Sequence, residues 1–212
     1  LPRKLGLWGG VVIRWPRLLD ATDVRPDYEV ALQAGVVDVV KPGDTVVIIG
    51  AGRGVVTVRA AKQVPLGEVI AYEGAAGHLP ALRETLALNN VADRVDLRHA
   101  VVGPEIDVWG DSTDASKLTP AELPDCDVLV LDCEGTERAI MEDLTQQPRA
   151  VVVEAHAFFD APPDAIADKL RDNGYAVTFG GWINEERGLR VLVGQRQTTD
   201  VISASDEEVA AT

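Results

Sequence analysis

Four stretches of the chain carry residues whose types and spacing suit chemistry. The first is Val46-Val47-Ile48-Ile49-Gly50-Ala51-Gly52-Arg53-Gly54, an apolar run that ends in glycines at alternate positions and then enters a helical stretch. Glycine permits a tight turn and a close backbone approach to a ligand, and the first N–H groups of the next helix are free to face that ligand. Strand, glycine loop and helix in this order point to a ligand-binding turn, although a structural turn has the same composition. The second is Glu73, at the end of the next apolar run. An acid there can accept hydrogen bonds from both hydroxyls of an adenosine ribose; the structural alternative is an exposed strand-end carboxylate. The third is Asp127-Val128-Leu129-Val130-Leu131-Asp132-Cys133-Glu134-Gly135-Thr136-Glu137, where a buried strand delivers acids at its carboxyl end. Ligands bind at that edge of open α/β sheets, and Asp132 is the foremost candidate. Glu137 has a second explanation as a first-turn acid favoured by the helix dipole. The fourth is Val151-Val152-Val153-Glu154-Ala155-His156. Glu154 and His156 stand two apart on an extended segment and so project to one face. A histidine at a strand mouth can serve as a general base or as a structural hydrogen-bonder.

For these residues to meet, their strands must lie side by side, and the order of elements predicts that they do. Residues 1–26 read as an irregular lead-in broken by Pro2, Pro16 and Pro26 that packs on the domain. A helix is expected over Asp27 to Val40, and Lys41-Pro42-Gly43-Asp44 is a turn. Strands are expected at Thr45 to Ile49, Glu68 to Tyr72, Arg94 to Val102, Asp127 to Asp132 and Ala150 to Ala155. Helices fall between or after them at Val55 to Val64, Leu79 to Asn89, Thr136 to Leu144 and Pro163 to Asp172. Gly103 to Asp125 reads as a long polar connection with one short helix at Pro120 to Leu123. Tyr175 to Phe179 and Leu189 to Gln195 are two last strands with no helix between them, hence an antiparallel hairpin. This alternation predicts an α/β three-layer sandwich, a mostly parallel sheet of seven strands closed by a C-terminal antiparallel hairpin. That is the layout of the class I methyltransferase (Rossmann-like) fold. The expected organisation is a lead-in at 1–26, the main domain at 27–196, and an acidic, flexible tail at 197–212.

Composition narrows the function. The 212 residues carry 20 Lys and Arg against 34 Asp and Glu, a formal charge of −14 that argues against a nucleic-acid partner. Of the basic residues only five are Lys, and high acidity with little Lys is the composition expected of adaptation to high salt. No apolar stretch is long enough to span a membrane, and Leu1 to Asp20 lacks the apolar core of a signal peptide, so a cytoplasmic location is expected. Cys126 and Cys133 read as buried free thiols; their spacing fits no zinc pattern. Asp132 and Glu134 offer oxygens but no complete metal-ligand set is legible, and no metal is expected.

The order of the motifs resembles the FkbM family of S-adenosylmethionine-dependent methyltransferases. The matching stretches are Gly43-Asp44 with Gly50 to Gly54, Tyr72-Glu73-Gly74, Leu86-Ala87-Leu88-Asn89-Asn90, Leu131 to Glu137 and Val153-Glu154-Ala155-His156, of which the acid–x–Glu–Gly–x–Glu segment is the most specific. The resemblance implies that Gly50, Ala51, Gly52, Arg53, Gly54, Glu73 and Gly74 hold S-adenosylmethionine. It implies that Ala100 stands beside the cofactor and that Asp132 lies between cofactor and acceptor. Asp132, Glu134 or His156 would take the proton of a hydroxyl acceptor, since the family's members are mostly O-methyltransferases. The chain departs from the pattern at Ile48, where an acid is common, at Gly52, where Asn is frequent, and at Arg53, a bulky charge inside the loop. At His99-Ala100-Val101 it lacks the acid that many methyltransferases place on the adenine amine.

Two rival readings use the same residues. An NAD(P)-dependent oxidoreductase suits the glycines and Glu73, and suits the terminal hairpin and the acids from Asp132 to Glu137 less. A non-enzymatic relative would bind a partner through the 103–125 connection. The absence of Gly-x-Ser-x-Gly and of a Gly-Lys-Ser/Thr ending argues against a serine hydrolase and a P-loop kinase. The expected acceptor is a small molecule or a glycan, contacted by the lead-in, the 103–125 connection and the 157–163 and 180–188 loops.

Overall fold

The computed structural model describes residues 2–104, 110–159 and 161–196. In chain order it contains β1 (Gly6–Trp8), β2 (Val11–Ile13), β3 (Val24–Arg25), α1 (Val30–Val39), β4 (Thr45–Ile49), α2 (Val55–Gln63), β5 (Glu68–Glu73), α3 (Leu79–Leu88), β6 (Val95–Val102), β7 (Ser116–Leu118), β8 (Val128–Leu131), α4 (Glu137–Asp143), β9 (Ala150–His156), α5 (Pro163–Asp172), β10 (Tyr175–Asn184) and β11 (Leu189–Arg196). The main sheet runs in the order β10-β11-β9-β8-β4-β5-β6-β7. Its pairs are parallel from β9 through β7, and β11 lies antiparallel to both β9 and β10. The expected parallel sheet and terminal hairpin are therefore present, with β7 added at the far edge.

The apolar runs sit at the centre because both their faces are covered. Val46, Ile48, Val130 and Val152 point to a layer that contains α1, α2 and α3, through Leu32, Val36, Val58 and Leu82. The alternate residues Val47, Ile49, Leu129, Leu131 and Val153 point to the opposite layer, where Ile140 of α4 and Ile166 and Leu170 of α5 pack. The period of two along a strand thus divides each run between two cores. Among the described residues no helix is long and apolar enough to cross a membrane.

Three stretches differ from the sequence reading. The lead-in is not irregular: β1, β2 and β3 form a small sheet of their own, and Gly9 and Gly10 turn the first two strands at positive φ. Strands of two or three residues show no periodicity, so only their partners reveal them. The 103–125 connection contains β7, paired to β6, besides a short 3-10 turn at Pro120–Glu122 capped by Thr119 and Glu122. Its residues 105–109, like the tail at 197–212, lie outside the described residues. Strand β10 runs on to Asn184 through register shifts after Phe179 and Trp182, which let it bend past the end predicted from its apolar run.

Candidate active site

The carboxyl ends of β4, β5, β6 and β8 open on a cavity of about 420 Å³. That falls within the roughly 300–1,000 Å³ usual for small-molecule sites. One wall is the glycine loop after β4. Gly50 and Ala51 donate to the Tyr72 carbonyl at 3.0 Å each, which turns the chain off the end of β4. Gly50 has φ +87, and a β-carbon there would collide with the Asp132 carbonyl oxygen. Gly52 also has positive φ, but a β-carbon on it would meet nothing within 4 Å. The loop is thus pressed against β8 at its start and open at its centre.

Glu73 closes this wall. It is buried at the end of β5 and accepts from the Gly52 N–H at 2.7 Å and from the Ala75 N–H at 2.8 Å. The acid singled out for a ribose therefore also holds the glycine loop in place. Each carboxylate oxygen retains a lone pair for a further donor. Arg53 leaves the loop toward the small N-terminal sheet. Its guanidinium lies 4.4 Å from the Trp15 ring centroid and 5.3 Å from that of Trp8, and donates to the Tyr28 hydroxyl at 3.0 Å. Its bulk is accommodated by aromatic faces supplied from the lead-in.

The opposite wall is acidic. Asp132 follows β8, and its N–H donates to the Ile49 carbonyl at 3.0 Å, which sets it beside the glycine loop. Glu134 at φ 55 and Gly135 at φ 101 then turn the chain into α4. Glu137 is the first-turn acid of α4 and is fully buried. It accepts from the Cys133 N–H at 3.2 Å, and its Oε1 lies 2.9 Å from Nδ1 of His156. His156, only 2% exposed at the end of β9, is surrounded by carboxylates. Its Nε2 lies 3.6 Å from Glu154, 3.7 Å from Asp132 and 3.9 Å from Glu134.

These charges shift one another. Burial, with the neighbouring carboxylates Glu29, Glu134 and Glu137, holds Asp132 well above the usual carboxylate range. Burial and the charge of Asp132 push Glu154 up to about 10. Burial works to lower the pKa of His156, but the hydrogen bond with Glu137 and the charges around it prevail and keep it above its ordinary value. Burial also raises the Cys133 thiol far above its usual range, so it is no thiolate nucleophile.

Of the cofactor residues expected from sequence, Gly50, Gly52, Arg53, Glu73, Gly74, Ala100 and Asp132 line the cavity. Ala51 and Gly54 shape the loop behind it; Gly54 precedes α2 at φ 83, with Leu82 where a β-carbon would be. Of the catalytic candidates, Asp132 and Glu134 line the cavity and His156 stands behind them. Sequence reasoning missed Tyr28, Glu29, His78 and Thr136, which also line it. Glu29 was hidden because it reads as part of a helix from Asp27. In the structure it precedes α1 in the left-handed conformation, φ 51, and burial pushes its carboxyl up to about 7. The sequence reading likewise did not assemble Asp132, Glu154 and His156 into one group, although their donor atoms lie within 4.8 Å of one another.

No protein-family model and no curated protein matches the chain. Solved structures do. A precorrin-6y C5,15-methyltransferase from Geobacter metallireducens matches with a TM-score of 0.57 at 18% identity, over 87% of this chain and 95% of that one. An O-methyltransferase from Bacillus cereus in complex with S-adenosylhomocysteine matches with a TM-score of 0.53 at 16% identity, over 83% of each chain. A SAM-dependent O-methyltransferase from Thermotoga maritima matches with a TM-score of 0.53 at 17% identity, over 80% of this chain and 65% of that one. The cavity of this chain is therefore built on the class I Rossmann-like methyltransferase fold.

Proposed function

We propose that the protein is an S-adenosylmethionine-dependent methyltransferase of the FkbM type that methylates a hydroxyl of a small molecule or glycan. The observation that carries this reading is the pairing of two walls in one cavity. A glycine loop and a ribose-competent acid face a strand end bearing Asp132 and Glu134. When bound, S-adenosylmethionine supplies a methyl group on a sulfonium, which an acceptor oxygen takes along the carbon–sulfur axis to leave a neutral thioether.

The chain's own residues have three tasks. Gly52, whose β-carbon would point into open space, would keep the backbone clear of side chains where the cofactor lies, and Gly50 and Gly74 line the same wall. Glu73 would receive the ribose hydroxyls. Asp132, set beside the glycine loop at the end of β8 and lining the cavity, would take the acceptor's proton as a general base. The remaining contribution is alignment and exclusion of water.

Calorimetric titration of the full chain in high salt with S-adenosylhomocysteine, and separately with NAD, tests the reading. Micromolar binding of S-adenosylhomocysteine, lost in Glu73→Ala, is expected. Binding of NAD instead identifies an oxidoreductase; no binding of either points to a non-enzymatic relative.

A further inference from the structure

His156 is a buried polar side chain with one satisfied nitrogen. Nδ1 is held by Glu137 at 2.9 Å. Nε2 has no hydrogen-bond partner among the described residues; its nearest acceptors, at 3.6, 3.7 and 3.9 Å, are carboxylate oxygens too far away to bond it. Glu154, whose side chain is 8% exposed, meets His156 in the same way. Both side chains are more than nine-tenths buried, yet neither of these atoms is fully enclosed, so a small shared partner can reach them.

The spacing suits a cation. Two donors each about 2.1 Å from one ion stand about 3 to 4.2 Å apart. The separations from Nε2 to Glu154 and to Asp132 lie in that window, at 3.6 and 3.7 Å. One donor atom from each of Asp132, Glu154 and His156 lies within 4.8 Å of the other two. The partner of Nδ1 is also the one a metal ligand needs. A carboxylate on one ring nitrogen fixes the tautomer, turns the other lone pair outward and raises its basicity.

We propose that Asp132 Oδ1, Glu154 Oε1 and His156 Nε2 bind one divalent transition cation at the floor of the cavity, with Glu137 orienting the imidazole and Glu134 at the rim. This departs from the absence of a metal expected from sequence. The imidazole favours a first-row transition ion over magnesium or calcium, and the two carboxylates favour a hard divalent ion over a soft one. Of the three ligands Asp132 lines the cavity, with Glu154 and His156 behind it, so an open position on the ion beside Asp132 would face the space where an acceptor would enter. An acceptor hydroxyl that coordinates there would lose its proton more readily. That last role rests on the methyl-transfer reading; the cation site does not.

The test is titration of the full, metal-stripped chain with MnCl₂ and with ZnCl₂, followed by calorimetry in 0.5 M KCl to screen binding to surface acids. One ion per chain is expected, with at least a tenfold loss of affinity in Glu154→Gln and in Asp132→Asn, and a smaller loss in Glu137→Gln, which touches no ion. With Co²⁺ as the probe, a visible absorption band absent from His156→Gln reports imidazole ligation. If Glu154→Gln does not fold, as judged by circular dichroism, Asp132→Asn, at the cavity floor, decides. Absence of saturable binding, or equal binding by the wild type and Asp132→Asn, overturns the site and leaves His156 as a charged centre among carboxylates. S-adenosylhomocysteine titrated into the same preparations separates the two readings: metal uptake without it removes the function but keeps the site, and the converse removes the site alone.

Discussion

At the scale of the residue, Gly50, Glu73 and Asp132 could be singled out from the chain because each stands directly at the end of an apolar run. What the sequence concealed was how tightly they interlock. Gly50 is compelled by the Asp132 carbonyl, which occupies the place of its β-carbon, whereas Gly52 faces open space. Gly50→Ala should therefore lower stability by about 3 kcal/mol or more, through both left-handed strain and collision. Gly52→Ala should cost only about 1 kcal/mol, from its backbone conformation. Urea unfolding midpoints of the two variants check the difference; equal midpoints would contradict the close packing of loop and β8. The partners of His156 were equally hidden. Glu137 and Glu154 come from different elements, and only the parallel register of β8 with β9 brings their ends together.

At the scale of the element, long strands and helices were legible to within a few residues, because burial on two faces writes continuous apolar runs and helices write a longer period. The small N-terminal sheet was not, and neither was the true start of α1. A left-handed residue leaves no mark in hydropathy, yet it moves Glu29 from a helical turn into the cavity. This placement has a consequence for pH. Burial raises Glu29 from 4.5 to about 7, against the opposing influence of Tyr28, Arg53 and Arg25. A raised folded-state value means that the associated stability is complete below pH 4.5 and is lost as pH rises through 7. The shift, from 4.5 to about 7, is worth about 3 kcal/mol. Melting temperatures measured between pH 4.5 and 8 should fall less in Glu29→Gln than in the wild type; parallel curves would place Glu29 in water.

At the scale of the whole molecule, alternation of strand and helix with a closing hairpin was enough to name the architecture. The acceptor was not legible, since the loops that would choose it follow no periodic rule. Composition carries a separate message. A charge of −14 on 212 residues repels itself at low ionic strength. Thermal stability should rise strongly between low and molar KCl, beyond the range in which screening of single pairs saturates. Full stability at low salt would set aside the reading of the composition as an adaptation to high salt.

The central claim is that one cavity receives an adenosine-bearing methyl donor on the Glu73 side and an acceptor on the Asp132 side. A crystal structure of the chain with S-adenosylhomocysteine tests it most directly. The account predicts both ribose hydroxyls on the Glu73 carboxylate, the backbone of the Gly50–Gly54 loop against the ligand, and its sulfur facing Asp132 and Glu134. A ligand bound elsewhere, or one in this cavity with its ribose away from Glu73, would contradict it.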